Sequence, residues 1–295
     1  MTTPIRTAGA PPSRGRWIGA SALGAALLLG GALPMQDSPR AAAERERAEF
    51  SNWLVTALVS PRRAVAVLAI GEGLTLGGAD AGVAIPGIPR HRIEERGGRV
   101  SLTGPDGGRP VRRGLPFTLG PNRLVVSGVA GRATVTVFAR ELRGGTDARW
   151  FPYLPQWSFR VELRPPPKPV EQRLLAPDGV EVAATEAGTV RFTHGAATHT
   201  LRVMRLPGGA DDESELEVYF RDSTNGRETY PSGRFVALVP EAGGRYRLDF
   251  NRARNPYCAY NTAYPCPAPW RGNLLNLAVP AGEQYAGGGL DVPKP

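Results

Sequence analysis

Carboxylates, amides and guanidinium groups recur at short intervals between Asp222 and Asn273, a combination that can hold a polar anion or move a proton. Asp222, Thr224, Glu228, Tyr230 and Arg234 fall in one turn-rich stretch. Asp249, Asn251, Asn255 and Asn273 follow in a run dense in Asp, Asn, Cys and Pro. These nine are the candidate ligand-binding residues, and no catalytic residue is assigned. Asp249 or Asp222 as acid or base, with Arg234 stabilising negative charge, would make a hydrolase-like centre. The same residue types have a plainer use. Asn and Asp side chains satisfy backbone groups in long loops, and Arg–Asp pairs buttress turns. Both uses stay open at this level.

Other chemistries lack their residues. The chain has no G-x-S-x-G elbow, no H-E-x-x-H and no Gly-Lys-Ser/Thr phosphate loop. Its only lysines, Lys168 and Lys294, lie in no motif, so Schiff-base chemistry is not expected, and no cofactor is implied. His194 and His199 flank a Gly195–Thr198 turn. A two-residue turn at Ala196–Ala197 would face them across a hairpin, whereas a three-residue loop would put them on opposite faces. No third histidine or carboxylate completes a ligand set, so no metal site is assigned.

The 295 residues carry a formal charge of +9, but Arg6, Arg14, Arg16 and Arg40 against Asp37 account for +3 of it, leaving +6 for residues 44–295. The remaining arginines are scattered rather than gathered on one element with interleaved aromatics, so nucleic acid is not an expected partner. Arg6, Arg14 and Arg16 precede an uncharged apolar run at 17–33, and Ala41–Ala43 supplies a small-residue processing site. Residues 1–43 are therefore expected to be a signal peptide or a retained N-terminal anchor, the only expected link to a membrane. That places the chain in the periplasm or cell envelope. In an exported chain, Cys258 and Cys266 are expected to form a disulfide that clamps residues 255–267, since their spacing is not C-x-x-C and soft metal ligands are too few.

The elements that must position these groups read as short strands. Glycine (37) and proline (29) are abundant, and one helical pattern stands out, with Phe50, Trp53, Leu54, Ala57 and Leu58 on one face before Pro61. An all-β chain of two lobes behind one short packing helix at 44–59 is expected. Strand candidates in the first lobe, 60–143, are 64–70, 73–76, 99–102, 117–119, 123–127 and 133–138. After an aromatic and proline-rich connection, the second lobe, 146–286, offers 158–163, 180–183, 188–192, 199–206, 215–220, 235–239, 245–250 and 274–279. Residues 287–295 read as a disordered tail. Alternation in 245–251 puts Tyr246, Leu248 and Phe250 inward, and Arg247, Asp249 and Asn251 outward, where the 222–230 loop is expected to cover them.

Two resemblances follow from these residues. Phe220, Asp222, Thr224, Gly226, Glu228–Tyr230 and Gly233–Phe235 form one ordered series. It continues through 248–253, Asn255, Pro256, Cys258, Ala259, Cys266, Pro267, Asn273, Leu275 and 281–283. This series resembles the bacterial "domain of unknown function 1684" family, which implies a shared β-rich fold and a shared polar site but names no substrate. Relatives commonly carry tyrosine at the position of Arg254 and proline at that of Tyr257, so an activity that depends on that tyrosine would be altered here. The segment order of the first lobe, with 74–77, 83–86 and a loop at 89–93, resembles a forkhead-associated sandwich. Gly78 and Pro89 replace that family's arginine and loop serine, so the resemblance implies the scaffold without its phosphothreonine ligand. The functional expectation is a polar-ligand or partner-binding, or structural, module of the cell envelope. The alternative is a hydrolase-like enzyme using the Asp/Arg cluster.

Overall fold

The computed structural model describes residues 38–285, apart from 79–80, 86, 208–214, 269 and 271. The leader with its apolar run at 17–33 and the expected disordered tail at 287–295 lie outside the described residues. Among the described residues no helix is long and apolar enough to cross a membrane.

Ser38 opens helix α1 (Pro39–Thr56). Its hydroxyl accepts the amide of Ala41, and Pro39 occupies the first turn, where no amide hydrogen is needed. Ala43, Arg47, Phe50, Trp53 and Leu54 form the buried stripe. The helix starts before the expected 44–59 and also ends earlier. The hydroxyl of Ser60 donates to the carbonyl of Leu54 at 2.5 Å, and Ala57 is already extended. Leu58, expected on the packed face, is 41% exposed. The expected processing site Ala41–Ala43 lies inside α1, with Ala43 wholly buried.

The first lobe is a sandwich of two antiparallel sheets. Its strands are β1 (Ala64–Ala69), β2 (Leu74–Leu76), β3 (His91–Arg96), β4 (Arg99–Gly104), β5 (Gly107–Val111), β6 (Phe117–Leu119), β7 (Asn122–Ser127) and β8 (Thr134–Phe138). One sheet runs β1-β8-β7-β6 and the other β2-β3-β4-β5. Ile93, Val100 and Leu102 meet Leu124, Val126, Val135 and Val137 between them. β3 and β5 carry almost no apolar pattern, because each buries one aliphatic side chain, Ile93 or Val111. The expected loop at 89–93 therefore becomes a strand from His91 onward.

The short β9 (Arg149–Trp150) leads into the second lobe. Its strands are β10 (Ser158–Val161), β11 (Glu171–Leu175), β12 (Glu181–His194), β13 (Ala197–Leu206), β14 (Glu215–Phe220), β15 (Arg234–Pro240) and β16 (Tyr246–Asp249), and β17 (Glu283–Gln284) returns to pair with β9. The sheet order is β10-β16-β15-β14-β13-β12-β11. Just past β10, Arg164 exchanges backbone bonds of 2.8 and 2.9 Å with Thr189 of β12. That bridge joins β10 to β12 and closes six strands into a barrel filled by Val161, Val190, Phe192, Leu201, Val203, Val218, Phe220, Val236, Leu248 and Phe250. Closure depends on Gly188: a Cβ there would lie 2.1 Å from the Arg164 carbonyl oxygen, and its φ is +139°. The two expected runs 180–183 and 188–192 are one strand that changes register between Glu186 and Gly188.

The lobes are fastened together. Asn261 donates to the carbonyls of Pro61 and Ala64 at 3.1 and 2.8 Å. Val59, Ala64 and Phe138 pack with Tyr230, Cys258, Ala259 and Tyr264. On the other side, Phe50, Trp53 and Leu54 of α1 pack on Tyr260.

Candidate functional site

The candidate residues do not converge on one cleft. They form four sets of hydrogen bonds, the fourth joining Asn255 to Glu283, and eight of the nine are buried. Glu228 is the exception: it is exposed, its side chain makes no hydrogen bond or ion pair among the described residues, and only its charge reaches Arg234 of the first set.

The first set surrounds Asp222, just beyond β14. Its Oδ1 accepts from the Thr224 amide at 2.8 Å, the Thr224 hydroxyl at 2.5 Å and the Val279 amide at 3.3 Å. Its Oδ2 accepts Nη2 of Arg234 at 2.8 Å, and both side chains have no exposed surface. Arg234 also donates to the carbonyls of Val279 at 3.0 Å, Ala281, and Glu283 at 3.3 Å. Its guanidinium lies 5.3 Å from the Phe220 ring centre. Burial lowers the arginine's pKa and the Asp222 charge raises it again. The loop closes on itself as Thr224 and Thr229 share a 2.7 Å hydroxyl contact and Asn225 donates to the Tyr230 carbonyl at 2.6 Å. This is a clamp that ties the 222–230 loop to residues 279–283.

The second set lies at the end of β16. Alternation does not carry past Asp249, because residues Phe250–Arg252 turn into a 3-10 helix that Asp249 caps through the Asn251 amide. Asp249 and Asn251, expected outward, are therefore 1% and 0% exposed. The cover is not the 222–230 loop. Asn251 exchanges two bonds with the backbone of Leu154, at 2.8 and 2.9 Å, as a strand neighbour would. Arg47 of α1 caps the Asn251 carbonyl at 3.0 and 2.6 Å and the Phe151 carbonyl at 3.0 Å. Burial raises the Asp249 pKa against the hydrogen bonds from Asn251. Arg252 turns away to pair with Glu46 of α1.

Asn273 makes the third set. β13 and β14 pair only from Met204–Leu206 to Glu215–Glu217, and that register, continued, would set Arg202 opposite Tyr219. The side-chain amide of Asn273 fills the gap: it accepts from the Arg202 amide at 2.7 Å and donates to the carbonyls of Arg202 and Tyr219, each at 2.9 Å. The expected strand at 274–279 is instead an irregular segment. It is tied by backbone bonds from Leu275 to Arg221 and from Ser223 to Leu277.

Sequence reasoning passed over Glu283, although it closes the 281–283 motif. Its carboxylate accepts the Asn255 amide at 2.9 Å and the Tyr260 hydroxyl, wholly out of solvent. Burial raises its pKa to about 7, against the hydrogen bonds and the nearby Arg254 and Arg234. Asn255 adds a bond to the Gln284 carbonyl at 3.1 Å. Glu46, Arg47 and Tyr260 were also missed, because single positions on a helix or a tight turn leave no local pattern.

The expected disulfide is not formed: Cys258 and Cys266 are free thiols. Cys258 sits in the Tyr257–Ala259 3-10 turn, buried among Val59, Phe138 and Tyr264, while Cys266 lies exposed between two prolines. They meet as hydrogen-bond partners, with the Tyr230 hydroxyl 3.4 Å from the Cys266 sulfur. The bond from Cys258 lowers the Cys266 pKa to about 6, and Cys258 moves upward. Iodoacetamide at pH 7 is therefore expected to label Cys266 in the native chain and Cys258 only after denaturation. Peptide mass spectrometry reads this out, and equal native labelling of both would contradict it.

The histidines are fold residues. His194 pairs with Ala197 around a Gly195–Ala196 turn, and His199 lies opposite Phe192. His194 stacks on Trp157 at 4.2 Å and His199 on Phe192 at 5.2 Å. His91 bonds its ring nitrogen to the Pro89 carbonyl at 2.7 Å. No group of three or more metal-ligating side chains occurs among the described residues.

Fold and motif together describe a β-barrel lobe held by buried polar clamps, docked on a β-sandwich. Residues 146–284 match the family described as "Protein of unknown function (DUF1684)". A solution NMR structure of an uncharacterized protein of Haloarcula marismortui is similar at 31% identity, over 47% of this chain and 76% of that one, with a TM-score of 0.41. A search of curated proteins finds no match. The chain belongs to the DUF1684 family.

Proposed function

We propose that the chain is an exported, non-catalytic binding module of the cell envelope whose family motifs lock the fold rather than contact a ligand. The observation that carries this reading is the Asp222–Arg234 pair, buried to zero exposure on both sides with partners drawn from the protein. A hydrolytic use would need the carboxylate of Asp222 or Asp249 open to substrate, whereas the Asp222 side chain has no exposed surface and Asp249 is 1% exposed. Binding then falls to an exposed surface, with a polar or anionic small molecule as the partner. Export rests on the charged, apolar leader. The Ser38 cap of α1 and the buried Ala43 support a reading in which processing falls before Ser38, or the 17–33 run is retained as an anchor.

Native mass spectrometry of the protein recovered from its own cells tests both halves. The expected species sits in the envelope fraction, carries a bound small molecule and leaves that molecule unchanged on prolonged incubation. Conversion of the molecule to a product of different mass would overturn the binding reading. Recovery from the cytosol with Met1 intact and no membrane association would overturn export.

A further inference from the structure

The outer face of the barrel at its closing seam carries an arginine cluster that the family motifs do not touch. In β10, Phe159 and Val161 face the core, so Arg160 and the following Glu162 point outward; Val190 and Phe192 leave Arg191 outward on β12. The β10–β16 register runs Arg160↔Arg247 and Val161↔Tyr246, and one further step sets Glu162 opposite Arg245. The Arg164–Thr189 bridge, continued two steps, sets Glu162 opposite Arg191. Glu162 thus stands among four arginines: Arg160 and Arg164 along its own strand, and Arg191 and Arg245 across it. All four, with Glu162, line one open depression of about 280 Å³.

Arg160 is paired with Glu241 at 2.8 Å. The side chains of Arg164, Arg191, Arg245 and Glu162 have no ion-pair or hydrogen-bond partner among the described residues. Like charges on neighbouring strands repel, and a guanidinium offers a planar fork that matches phosphate oxygens. Three such forks around one depression suit a phosphate group. Inorganic phosphate at neutral pH can satisfy the Glu162 carboxylate, an acceptor only, by turning its own P–OH towards it, which takes that oxygen away from the arginines. A phosphate attached to a hydroxyl-bearing skeleton would instead give Glu162 a donor.

We propose that this seam binds a phosphorylated polyol or sugar, the phosphate held by Arg164, Arg191 and Arg245 and a neighbouring hydroxyl donating to Glu162. The assignment rests on the binding-module reading and supplies its ligand class. Calorimetric titration of the full chain at fixed ionic strength is the test, with glycerol 3-phosphate and inorganic phosphate as probes. Glycerol 3-phosphate is expected to bind about tenfold more tightly than phosphate, a difference of about 1.4 kcal/mol. Glu162→Gln is expected to abolish that preference by strengthening phosphate binding. Arg191→Ala with Arg245→Ala, both exposed, is expected to lose both ligands while the unfolding midpoint stays put. Sedimentation with phosphatidylglycerol vesicles, against phosphatidylcholine, separates the two sources: co-sedimentation assigns a lipid headgroup, and its absence assigns a free ligand. Equal affinity for the two probes, or binding that survives the double arginine substitution, overturns the seam assignment and leaves the binding-module reading standing. No saturable binding of either probe up to about 10 mM, roughly ten times a millimolar Kd, also overturns it. Release of phosphate from glycerol 3-phosphate would instead overturn the non-catalytic reading.

Discussion

Arg234→Ala is expected to destabilise the protein by about 3–5 kcal/mol, because removing one partner of a buried ion pair strands the other. Asp222 would keep its Thr224 and Val279 donors but lose the ion-pair partner it has among the described residues, and the carbonyls of Val279, Ala281 and Glu283 would lose a shared donor. A domain has about 5–15 kcal/mol in total, so the loss is a large share of it and the urea midpoint is expected to fall well below that of wild type. Arg234→Lys is not expected to rescue it, since one ammonium cannot span four acceptors on different sides. The double variant Asp222→Leu with Arg234→Met is expected to recover part of the loss, as hydrophobic replacements of buried pairs often do. Urea denaturation of the full chain measures all three. A well-folded Arg234→Ala protein within about 1 kcal/mol of wild type would mean that the pair is not a clamp, and would reopen the acid–base reading of Asp222.

The parts of this fold legible in the sequence are those where period and burial agree. β14 and β6 show both: each fills its expected span because alternation or a continuous apolar run survives at both ends. β3 was invisible because His91–Arg96 contributes one buried aliphatic residue and otherwise faces solvent or ion pairs, with Glu95 pairing to Arg113. At the site, residue types were a good guide to where polar groups gather but a poor guide to burial and to company, since Asp249 and Asn251, expected outward, are buried. Asp222 and Arg234 pair as an Arg–Asp buttress of the kind the residue types suggest, whereas Arg252 goes to Glu46, a residue with no local reason to be chosen. Asn251 and Asn273 act as substitutes for a missing strand neighbour, and that role exists only once Leu154 or the β13–β14 gap is in place. The cysteine error has the same origin. Spacing allowed a ring, but the buried 3-10 turn holding Cys258 and the proline-bounded segment holding Cys266 set the sulfurs as hydrogen-bond partners.

Glu283 should give the protein a stability that falls as pH rises through neutrality. Its carboxyl titrates near 7 in the folded chain against an ordinary 4.5, chiefly because burial penalises the charged form. The folded state therefore holds this proton more tightly than the unfolded state, and the associated stability is fully present below about pH 4.5 and lost as pH passes 7. At about 1.36 kcal/mol per unit, the swing is about 3 kcal/mol. Asp249, also raised by burial, tilts the wild-type curve the same way, so the wild type alone does not isolate Glu283. Glu283→Gln does. The amide keeps the shape and an acceptor for the Asn255 amide, and it offers its own hydrogens to the Tyr260 oxygen. Denaturation at a series of pH values from 4.5 to 8 should show the variant gaining on wild type as pH rises from about 4.5 to about 7, with the two curves nearly parallel above that. Parallel curves for the two proteins would show that Glu283 stays ionised in the fold, held by Arg254 and Arg234 more strongly than burial opposes it. The junction of α1, β17 and the 255–260 turn would then be an ion-pair network rather than a neutral hydrogen-bonded one.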